Sequence, residues 1–584
     1  MRILFTATVL GALLAGCAGI PDSGGVHRVE TTGIDSQSTV RYAPAGPVKD
    51  ANPKQIVSGF LDAMLAYPVT TGVASSFLTP EGAKNWQSSA GVQIYVKPDV
   101  GTTTAVLGSG SDDTDSSRVR LSVHTEAALD VQGRYRRVGE DDSFSLMLTK
   151  VKGQWRINNP PKGFLIDRKF FEDYYRPFSL YFFDRPGERL VAEPIYLPIG
   201  EQLATSMMTS LLRGPGETPS GFVRTYIPAG TQLQTSVPLR RDGLAEVEFK
   251  QDLISLPEAE QERLSAQIVW TLRQAEGVSG VRILGAESEI KPQGGGPQTL
   301  DDWSSFGPPS SPGTFFAIQK NKIVRMSGRS VGSLAGDWGD DARGARSIAV
   351  HRSEERLVIV SNDGETLEIG GLSRDAKTVI ARYSGNDFSN PVFDDRGQVW
   401  CFDRQDGKTR LRLFADKRFV QVPIGGLADI EIESFALAPG ESRYAVIGRS
   451  GKETGIYVGE VLAGDKDQVV RLGSSRQLEL QAAGLSAPRS VVWENTGSVA
   501  FLATKSPVGD QIFRARIDGS GLLGGSTSVG PLLPDIQATS LALSGGEEPV
   551  QYVGDNQGRL WWQSGTGRWQ QLVDLGLAAP AYTG

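Results

Sequence analysis

The chain has 584 residues, with 60 lysines and arginines against 67 aspartates and glutamates and a net charge of −7. This length predicts three or four domains with sizeable cores, and the acidic balance argues against a nucleic-acid-binding protein, which would need clustered basic side chains. With three histidines in all, His27, His124 and His351, neither a zinc cage nor an obvious imidazole base can be assembled.

The first seventeen residues predict a lipoprotein signal peptide, residues 1–16. Arg2 precedes an apolar run from Ile3 to Leu14, which continues into Leu14-Ala15-Gly16-Cys17. The run is too short to span a bilayer, which needs about 20 apolar residues. We expect cleavage between Gly16 and Cys17 and lipidation of the Cys17 thiol, so that acyl chains such as palmitate hold the mature protein on the extracytoplasmic face of the cell membrane. An ordinary secretory signal with an incidental cysteine is the alternative.

Residues 17–50 are rich in Gly, Ser, Thr and Pro and predict a flexible tether, because they cannot bury enough apolar surface to order themselves. Once Cys17 is lipidated, Cys401 is the one remaining thiol and no internal disulfide can form. Cys401 lies in Val-Trp-Cys-Phe-Asp, a run that predicts a buried strand.

Residues 51–168 predict an α+β domain. Asn52-Pro53 is a helix cap followed by proline, a second short helix opens at Thr79-Pro80-Glu81, and alternating apolar runs then predict an antiparallel sheet ending at Gln154-Trp155-Arg156-Ile157. The order of elements resembles the nuclear-transport-factor-2-like cone. We expect a structural or partner-docking role, since no acid-base pair is present. The run Asp112-Asp113-Thr114-Asp115 is interpreted as a solvated loop, because it lacks the ligand spacing and glycine turn of a calcium site.

Residues 169–292 contain the sharpest local motifs of the folded body. An apolar helical stripe stops at Gly214-Pro215-Gly216, and Ser255-Leu256-Pro257-Glu258 predicts a capping box that opens a long helix. The runs Leu-Leu-Arg-Gly-Pro at 211–215, Ile-Pro-Ala-Gly-Thr at 227–231 and Asp-Gly-Leu-Ala-Glu-Val-Glu-Phe at 242–249 resemble the GerM domain of sporulation, germination and cell-envelope proteins. That resemblance implies a non-catalytic domain.

A linker at residues 293–312 leads into residues 313–584, where helical periodicity vanishes and a repeat predicts a β-propeller. A small polar residue followed by apolar ones recurs at Ser347, Asn390, Ser434, Ser490 and Ser540, with spacings of 43, 44, 56 and 50 residues. Four-stranded propeller blades recur at about 40 to 50 residues.

The closure of the ring follows from where the repeat starts. Phe315 to Ile318 matches the second strand of a blade, so the missing first strand is predicted to be Ala579-Pro580-Ala581-Tyr582 at the C-terminus. Pairing of the chain's end with its first blade would leave no open edge. This count gives six blades, and five or seven are the alternatives.

The run at residues 328–332 matches the sequence motif of a serine nucleophile. Gly328-Arg329-Ser330-Val331-Gly332 matches the Gly-x-Ser-x-Gly elbow, which needs a helix after the serine and an aspartate-then-histidine partner order. His351 is the one later histidine and directly follows a predicted strand. We therefore predict that the chain is not an enzyme and uses neither a cofactor nor a metal.

The order of parts, with the three runs quoted above, resembles the LpqB lipoprotein family of actinobacteria. The resemblance implies an accessory of the MtrA-MtrB two-component system, which binds the extracytoplasmic domain of the sensor histidine kinase and modulates its signalling, with effects on cell-wall homeostasis and cell division. The residues by themselves indicate a membrane-tethered binding scaffold.

Two other classes of function stay open. A cell-wall glycan-binding scaffold without direct kinase contact would use exposed tryptophans, for which Trp338 and Trp569 are candidates, although packing within blades is the simpler interpretation of both. A propeller-borne hydrolase or dehydrogenase would need a nucleophile such as Ser330, and the scarcity of histidine argues against it.

Overall fold

The computed structural model describes residues 42–96, 108–109, 116–215, 223–286, 288–291, 295–307, 314–327, 330–334, 336–372, 379–415, 418–462, 470–522, 532–544, 550–564, 567–572 and 577–582. The predicted cleavage and lipidation residues Gly16 and Cys17, most of the predicted tether, and the acidic run at 112–115 lie outside the described residues. No helix in the described ranges is long and apolar enough to cross a membrane.

The N-terminal unit, residues 42–174, packs short helices against one twisted sheet. Its elements are α1 (Pro53–Ala63), α2 (Gly72–Ser75), α3 (Pro80–Asn85), β1 (Val92–Tyr95), β2 (Gly108–Ser109), β3 (Ser116–Leu129), β4 (Tyr135–Val151), β5 (Gln154–Ile157), β6 (Phe164–Asp167) and α4 (Arg168–Tyr174). The strand order is β5-β4-β3-β1-β6 with β2 beside β3, and of these strand pairs β1–β6 is parallel and the others are antiparallel.

Both predicted helix starts in this unit are confirmed. The Asn52 side chain accepts a hydrogen bond from the Gln55 amide at 3.0 Å, and the Gln55 side chain accepts one from the Asn52 amide at 2.9 Å, which completes a capping box. Thr79 Oγ1 accepts a hydrogen bond from the Gly82 amide at 2.9 Å and caps α3.

The described residues of the middle unit, 175–307, form two small sheets and two helices, and the second helix contacts both sheets. Its elements are β7 (Tyr175–Asp184), β8 (Leu190–Pro198), α5 (Leu203–Leu212), β9 (Val223–Arg224), β10 (Leu244–Phe249), α6 (Glu258–Leu272), β11 (Gly280–Gly285) and β12 (Ser288–Glu289). One sheet has the order β8-β7-β9, and the other pairs β10 with β11 in parallel and β11 with β12 antiparallel.

The capping box predicted at Ser255 is wrong. Helix α6 begins at Glu258 with Pro257 at its N-cap, and no side chain caps it. Ser255 therefore lies two residues before the cap, too early to reach the first turn of the helix. The Gln261 side-chain amide instead donates hydrogen bonds to the carbonyls of Ile254 and Leu256, at 2.9 and 2.7 Å. These bonds fix the segment before the helix against its first turn.

The described residues between 314 and 582 form six sheets, which are the blades of a propeller. Blade 1 contains β13 (Phe315–Gln319), β14 (Lys322–Ser327) and β15 (Ser330–Ser333), and helix α7 (Asp337–Asp340) follows it. Blade 2 contains β16 (Ala345–Val350), β17 (Arg356–Ser361), β18 (Thr366–Gly371) and β19 (Ala381–Ser384), and blade 3 contains β20 (Val392–Phe393), β21 (Val399–Gln405), β22 (Lys408–Ala415) and β23 (Arg418–Val422).

The remaining blades complete the ring. Blade 4 contains β24 (Glu431–Leu437), β25 (Arg443–Ser450), β26 (Glu453–Leu462) and β27 (Arg471–Leu478). Blade 5 contains β28 (Leu485–Asn495), β29 (Ser498–Lys505) and β30 (Gly509–Arg516). Blade 6 contains β31 (Ala538–Leu543), β32 (Val550–Asp555), β33 (Leu560–Ser564) and β34 (Gln570–Gln571), and β35 (Leu577–Tyr582) returns to blade 1.

The predicted closure by the C-terminus is confirmed. Strand β35 pairs antiparallel with β13, with Phe315 opposite Tyr582 and Phe316 opposite Ala581. The first strands of successive blades contact one another around the ring, from β35 through β16, β20, β24, β28 and β31 and back to β35. This circuit has six members, so the alternatives of five or seven blades are wrong.

The small polar residue of the repeat joins one blade to the next. Three of these residues hydrogen-bond to the backbone of the following blade's first strand: Asn390 to Phe435, Ser434 to Val491, and Ser490 to Leu541. A buried amide at these points needs an acceptor, and the polar side chain supplies it. The pattern that predicted the blades therefore arises from contacts between them.

Candidate functional site at the junction of the three units

The candidate nucleophile Ser330 lacks the structure that a nucleophile elbow needs. Ser330 is exposed and begins β15, where it pairs with Ser327 of β14, whereas the elbow requires a helix after the serine. His351 follows β16 as predicted, and its Nδ1 lies 2.8 Å from Ser353 Oγ. Within the described residues no group of three His, Cys, Asp or Glu side chains could hold a metal ion.

The two candidate glycan-binding tryptophans pack within the propeller. Trp338 lies in α7 and is buried beside Phe316 and Ile348, with the Arg343 guanidinium 5.1 Å from its ring centre. Its expected exposure is therefore wrong, because α7 folds back onto the core between blades 1 and 2. Trp569 is half-buried and packs against the core between blades 5 and 6. Blade packing, the simpler interpretation of both, is confirmed.

Cys401 is a buried strand residue, as predicted. It lies in β21, and its Sγ atom donates a hydrogen bond to the Ser389 carbonyl at 3.3 Å. Burial raises the pKa of the thiol to about 12. The thiol is therefore protonated near neutral pH and is not a candidate nucleophile.

The middle unit and the propeller are joined by a buried ion pair. The guanidinium of Arg443, at the start of β25, bonds to the Glu193 carboxylate in β8. The same guanidinium donates to the carbonyls of Ala192, at 2.6 Å, and of Thr496 in blade 5, at 3.1 Å. Both charged side chains are less than one tenth exposed. Removal of one partner from such a pair typically costs about 3–5 kcal/mol, because the other charge is left buried and uncompensated.

A second contact joins β8 to blade 5. The Tyr196 hydroxyl donates to Ser520 Oγ at 2.9 Å, and Ser520 Oγ donates to an Asp518 carboxylate oxygen at 2.5 Å. The Arg516 guanidinium lies 5.7 Å from the centre of the Tyr196 ring. Burial raises the pKa of Tyr196, so the phenol is neutral and donates its proton to this network.

The N-terminal unit meets both other units at the same place. The Tyr196 amide donates to the Gly133 carbonyl at 2.7 Å, and the Tyr135 ring lies 5.9 Å from the Tyr196 ring. Burial, followed by the nearby Glu126 carboxylate, raises the pKa of Tyr135. At the rim of the contact, Arg137 of β4 pairs with Glu479 of the propeller at 2.6 Å.

A row of aromatic rings connects the start of the described chain to this junction. Tyr42 pairs with Tyr67 through two backbone hydrogen bonds of 3.1 and 2.9 Å. From there the rings follow in the order Tyr67, Tyr174, Phe170, Tyr175, Phe171 and Tyr196, with successive centres 4.5 to 6.5 Å apart. Aromatic pairs add about 0.5–1.5 kcal/mol each beyond area burial, so this row stabilises the packing of the N-terminal unit against β8.

Sequence reasoning missed the residues of this junction, although Glu193 carries a weak signal. It lies in Leu-Val-Ala-Glu-Pro-Ile-Tyr-Leu-Pro, where a single charge interrupts an otherwise apolar run. A carboxylate in a buried strand needs a cationic partner. The sequence therefore indicates that Glu193 has such a partner, but it does not identify Arg443.

Family models match three successive parts of the chain. Residues 46–172 match the N-terminal domain of lipoprotein LpqB, residues 179–290 match the model described as sporulation and spore germination, and residues 321–583 match the LpqB β-propeller domain. The matched order is the order of the three units described above.

Whole-chain relatives carry the same name. Lipoprotein LpqB of Thermobifida fusca is 26% identical over 95% of this chain and 96% of its own length, and lipoprotein LpqB of Cutibacterium acnes is 24% identical over 98% and 97%. Among solved structures, TolB from Acinetobacter baumannii is 12% identical, covers 57% of this chain and 87% of its own, and has a TM-score of 0.32. With both LpqB-specific models matched in order around a GerM-type domain, and with relatives aligned along nearly its whole length, this chain belongs to the LpqB lipoprotein family.

Proposed function

We propose that this chain is a lipid-anchored accessory of a two-component sensor histidine kinase of the MtrA-MtrB type. Acylated Cys17 holds it on the extracytoplasmic face of the cell membrane, where it binds the kinase's extracytoplasmic domain and modulates signalling that governs cell-wall homeostasis and division. The single observation that carries the proposal is the buried Arg443–Glu193 pair, which makes the middle unit and the propeller one body able to present a shared surface.

Tethering to one membrane face supports this proposal. Two proteins held on the same surface meet at a raised effective concentration, so even a modest interface is occupied. The chain's acyl anchor and the kinase's membrane span would supply that condition. A rigid body that presents turns from several blades suits partner binding, since binding residues are commonly found on loops held by a rigid scaffold.

Modulation requires a difference in affinity between kinase states. A partner shifts a conformational equilibrium only by as much as it binds one state more tightly than the other. We hypothesise that the propeller and the middle unit share the kinase contact, because the junction fixes their relative position through the contacts of Glu193 and Tyr196 described above. A third contact adds to these: Arg189, in the turn between β7 and β8, pairs with Asp395 of blade 3 at 2.8 Å.

The test places the full-length lipidated chain and the full-length kinase in the same proteoliposomes. We expect saturable binding and a changed autophosphorylation rate. A chain with Glu193→Ala, in which the junction is weakened, should bind less tightly than a chain with Glu479→Ala, which removes only a rim contact. Absence of saturable binding by the intact chain would contradict the proposal.

A parallel binding assay uses purified peptidoglycan. Binding to peptidoglycan without binding to the kinase would instead favour a wall-binding scaffold. That alternative has lost one proposed contact residue, because Trp338 is buried.

A further inference from the structure

The chain contains four Asp-Gly pairs, at residues 242–243, 363–364, 406–407 and 518–519. In such a pair the backbone nitrogen of the glycine can attack the side-chain carboxyl carbon of the aspartate, because glycine has no side chain to hinder the approach. The attack requires that the carboxyl group and the glycine amide are both free to turn toward each other. The hydrogen bonds around the four pairs therefore decide which of them can react.

Three of the pairs are held by the same two hydrogen bonds. In each of them the aspartate Oδ1 atom accepts a bond from the amide two residues later, and the glycine amide donates to the carbonyl three residues earlier. The first bond joins Leu244 to Asp242, Glu365 to Asp363 and Ser520 to Asp518, at 3.2, 2.9 and 2.9 Å. The second joins Gly243 to Arg240, Gly364 to Ser361 and Gly519 to Arg516, each at 2.9 Å. Both reacting groups are thus engaged elsewhere.

The fourth pair, Asp406-Gly407, forms the tip of the hairpin between β21 and β22. Gln405 is paired with Lys408, and the two residues between them have φ angles of 54° and 75°, which is a two-residue type I′ turn. Both residues of the pair are exposed. Among the described residues, none donates a hydrogen bond to the Asp406 carboxylate and none accepts one from the Gly407 amide. The two reacting groups are therefore not held apart.

The geometry of this turn explains why an Asp-Gly pair is found there. A type I′ turn needs a positive φ at both central residues, and Asp-Gly is a preferred pair because aspartate tolerates the left-handed region and glycine adopts it freely. A Cβ atom on Gly407 would meet nothing within 4 Å, so no neighbouring group restricts the peptide. The pair that suits this hairpin is thus also the pair that can cyclise.

We propose that Asp406 is a site of spontaneous isoaspartate formation in the native protein. The Gly407 nitrogen forms a bond to the Asp406 Cγ atom, while the amide proton and the carboxyl OH group leave as water, and a five-membered succinimide results. Water then adds to one of the two ring carbonyls and breaks its bond to the nitrogen. Opening at the main-chain carbonyl leaves the chain running through Cβ and Cγ, which is isoaspartate, whereas opening at Cγ restores aspartate. The water that is lost is regained, so no other reactant is consumed.

An isoaspartate adds one methylene to the backbone of a turn that fixes the register of its hairpin. Arg404 donates to the Gly407 carbonyl at 3.1 Å and pairs with Glu431, the first residue of β24 in blade 4, at 2.9 Å. The Thr409 amide donates to the Ala428 carbonyl at 2.9 Å. Isomerisation therefore disturbs the contact between the blade 3 hairpin and the segment that enters blade 4. We expect hydrogen exchange at the Thr409 amide to become faster as isoaspartate accumulates.

The test incubates the native full-length chain in ¹⁸O-labelled water at neutral pH. Each passage through the succinimide inserts one labelled oxygen atom, and electron-transfer mass spectrometry distinguishes isoaspartate from aspartate. Chymotrypsin, which cuts after Phe402 and Leu411, releases residue 406 in the peptide 403–411. We expect label and isoaspartate at Asp406, and at least about tenfold less label at the three held pairs, since their hydrogen bonds must break before the attack.

The same chain unfolded in urea is the reference, and all four pairs should then take up label at comparable rates. The matched variant is Asp406→Glu, which keeps the carboxylate but would have to form a six-membered ring. Its 403–411 peptide should lose the label, although Asp403 is still present in it. Native label at Asp406 no higher than at the three held pairs, or label retained in the Asp406→Glu peptide, would overturn the proposal.

Discussion

Arg443 and Glu193, 250 residues apart in the chain, form an ion pair buried between the propeller and β8. We expect Glu193→Ala to lower the free energy of unfolding by about 3–5 kcal/mol, because Arg443 would be left buried without a counter-charge. Urea unfolding measures this effect. The control Glu479→Ala removes the exposed partner of Arg137 and should cost less than about 1 kcal/mol. Equal losses in the two variants would contradict this account of the junction.

The blade-linking serines should differ in what they contribute. Ser490 Oγ accepts from the Leu541 amide at 2.8 Å, so Ser490→Ala leaves a backbone donor without its partner and should cost roughly 1–3 kcal/mol. The Ser347 Oγ atom is buried without a hydrogen-bond partner, because the corresponding position of the next blade is Pro391, which has no N–H. Ser347→Ala should therefore be neutral or stabilising in the same unfolding assay. If Ser347→Ala lowered the free energy of unfolding as much as Ser490→Ala, the hydrogen bond from Leu541 to Ser490 would not explain the loss at Ser490.

Structural features that depend on residues close together in the sequence could be predicted, whereas contacts between residues far apart in the sequence could not. The cap at Asn52 depends on Gln55, three residues away, and the repeat of small polar residues reports a contact made once in every blade. The predicted cap at Ser255 is wrong because the helix begins two residues later than expected, with Pro257 at the N-cap. Residue preferences for cap positions do not determine the start of a helix to within two residues. The junction at Glu193 could not be predicted because its partner is 250 residues away and no local pattern encodes that distance.

Cys401 should be inert in the native protein. Its thiol is buried and its pKa is about 12, so alkylating reagents find neither access nor thiolate. Mass spectrometry after iodoacetamide treatment should show modification of Cys401 only once denaturant is added. Ser330→Cys, which places a thiol at an exposed position of β15, is the control and should react in the native state. Rapid native labelling of Cys401 would contradict its placement in the core.

The stability of the body should depend on pH through Glu441. Its pKa rises from 4.5 to about 7 on folding, so the folded state binds the proton more tightly than the unfolded chain does. The resulting stability is fully present below about pH 4.5 and is lost as the pH rises to about 7, and it is on the order of 3 kcal/mol. Urea midpoints of the wild type, compared with those of Glu441→Gln, should diverge over that window. Parallel pH profiles for the two proteins would exclude Glu441 as the titrating group.

The predicted anchor makes a separate and simple prediction. If Cys17 carries the acyl chains, Cys17→Ala should release the chain from the membrane fraction, since attachment then depends on buried methylenes at about 0.8 kcal/mol each. No helix within the described residues is long and apolar enough to hold the chain in the membrane instead. Cys401→Ala is the matched control and should stay with the membrane, because that thiol is buried in β21. Cell fractionation and mass spectrometry of the N-terminal peptide measure the two outcomes. A Cys17→Ala chain that stays on the membrane, or a wild-type chain with an unmodified Cys17, would contradict the lipoprotein interpretation of Leu14-Ala15-Gly16-Cys17.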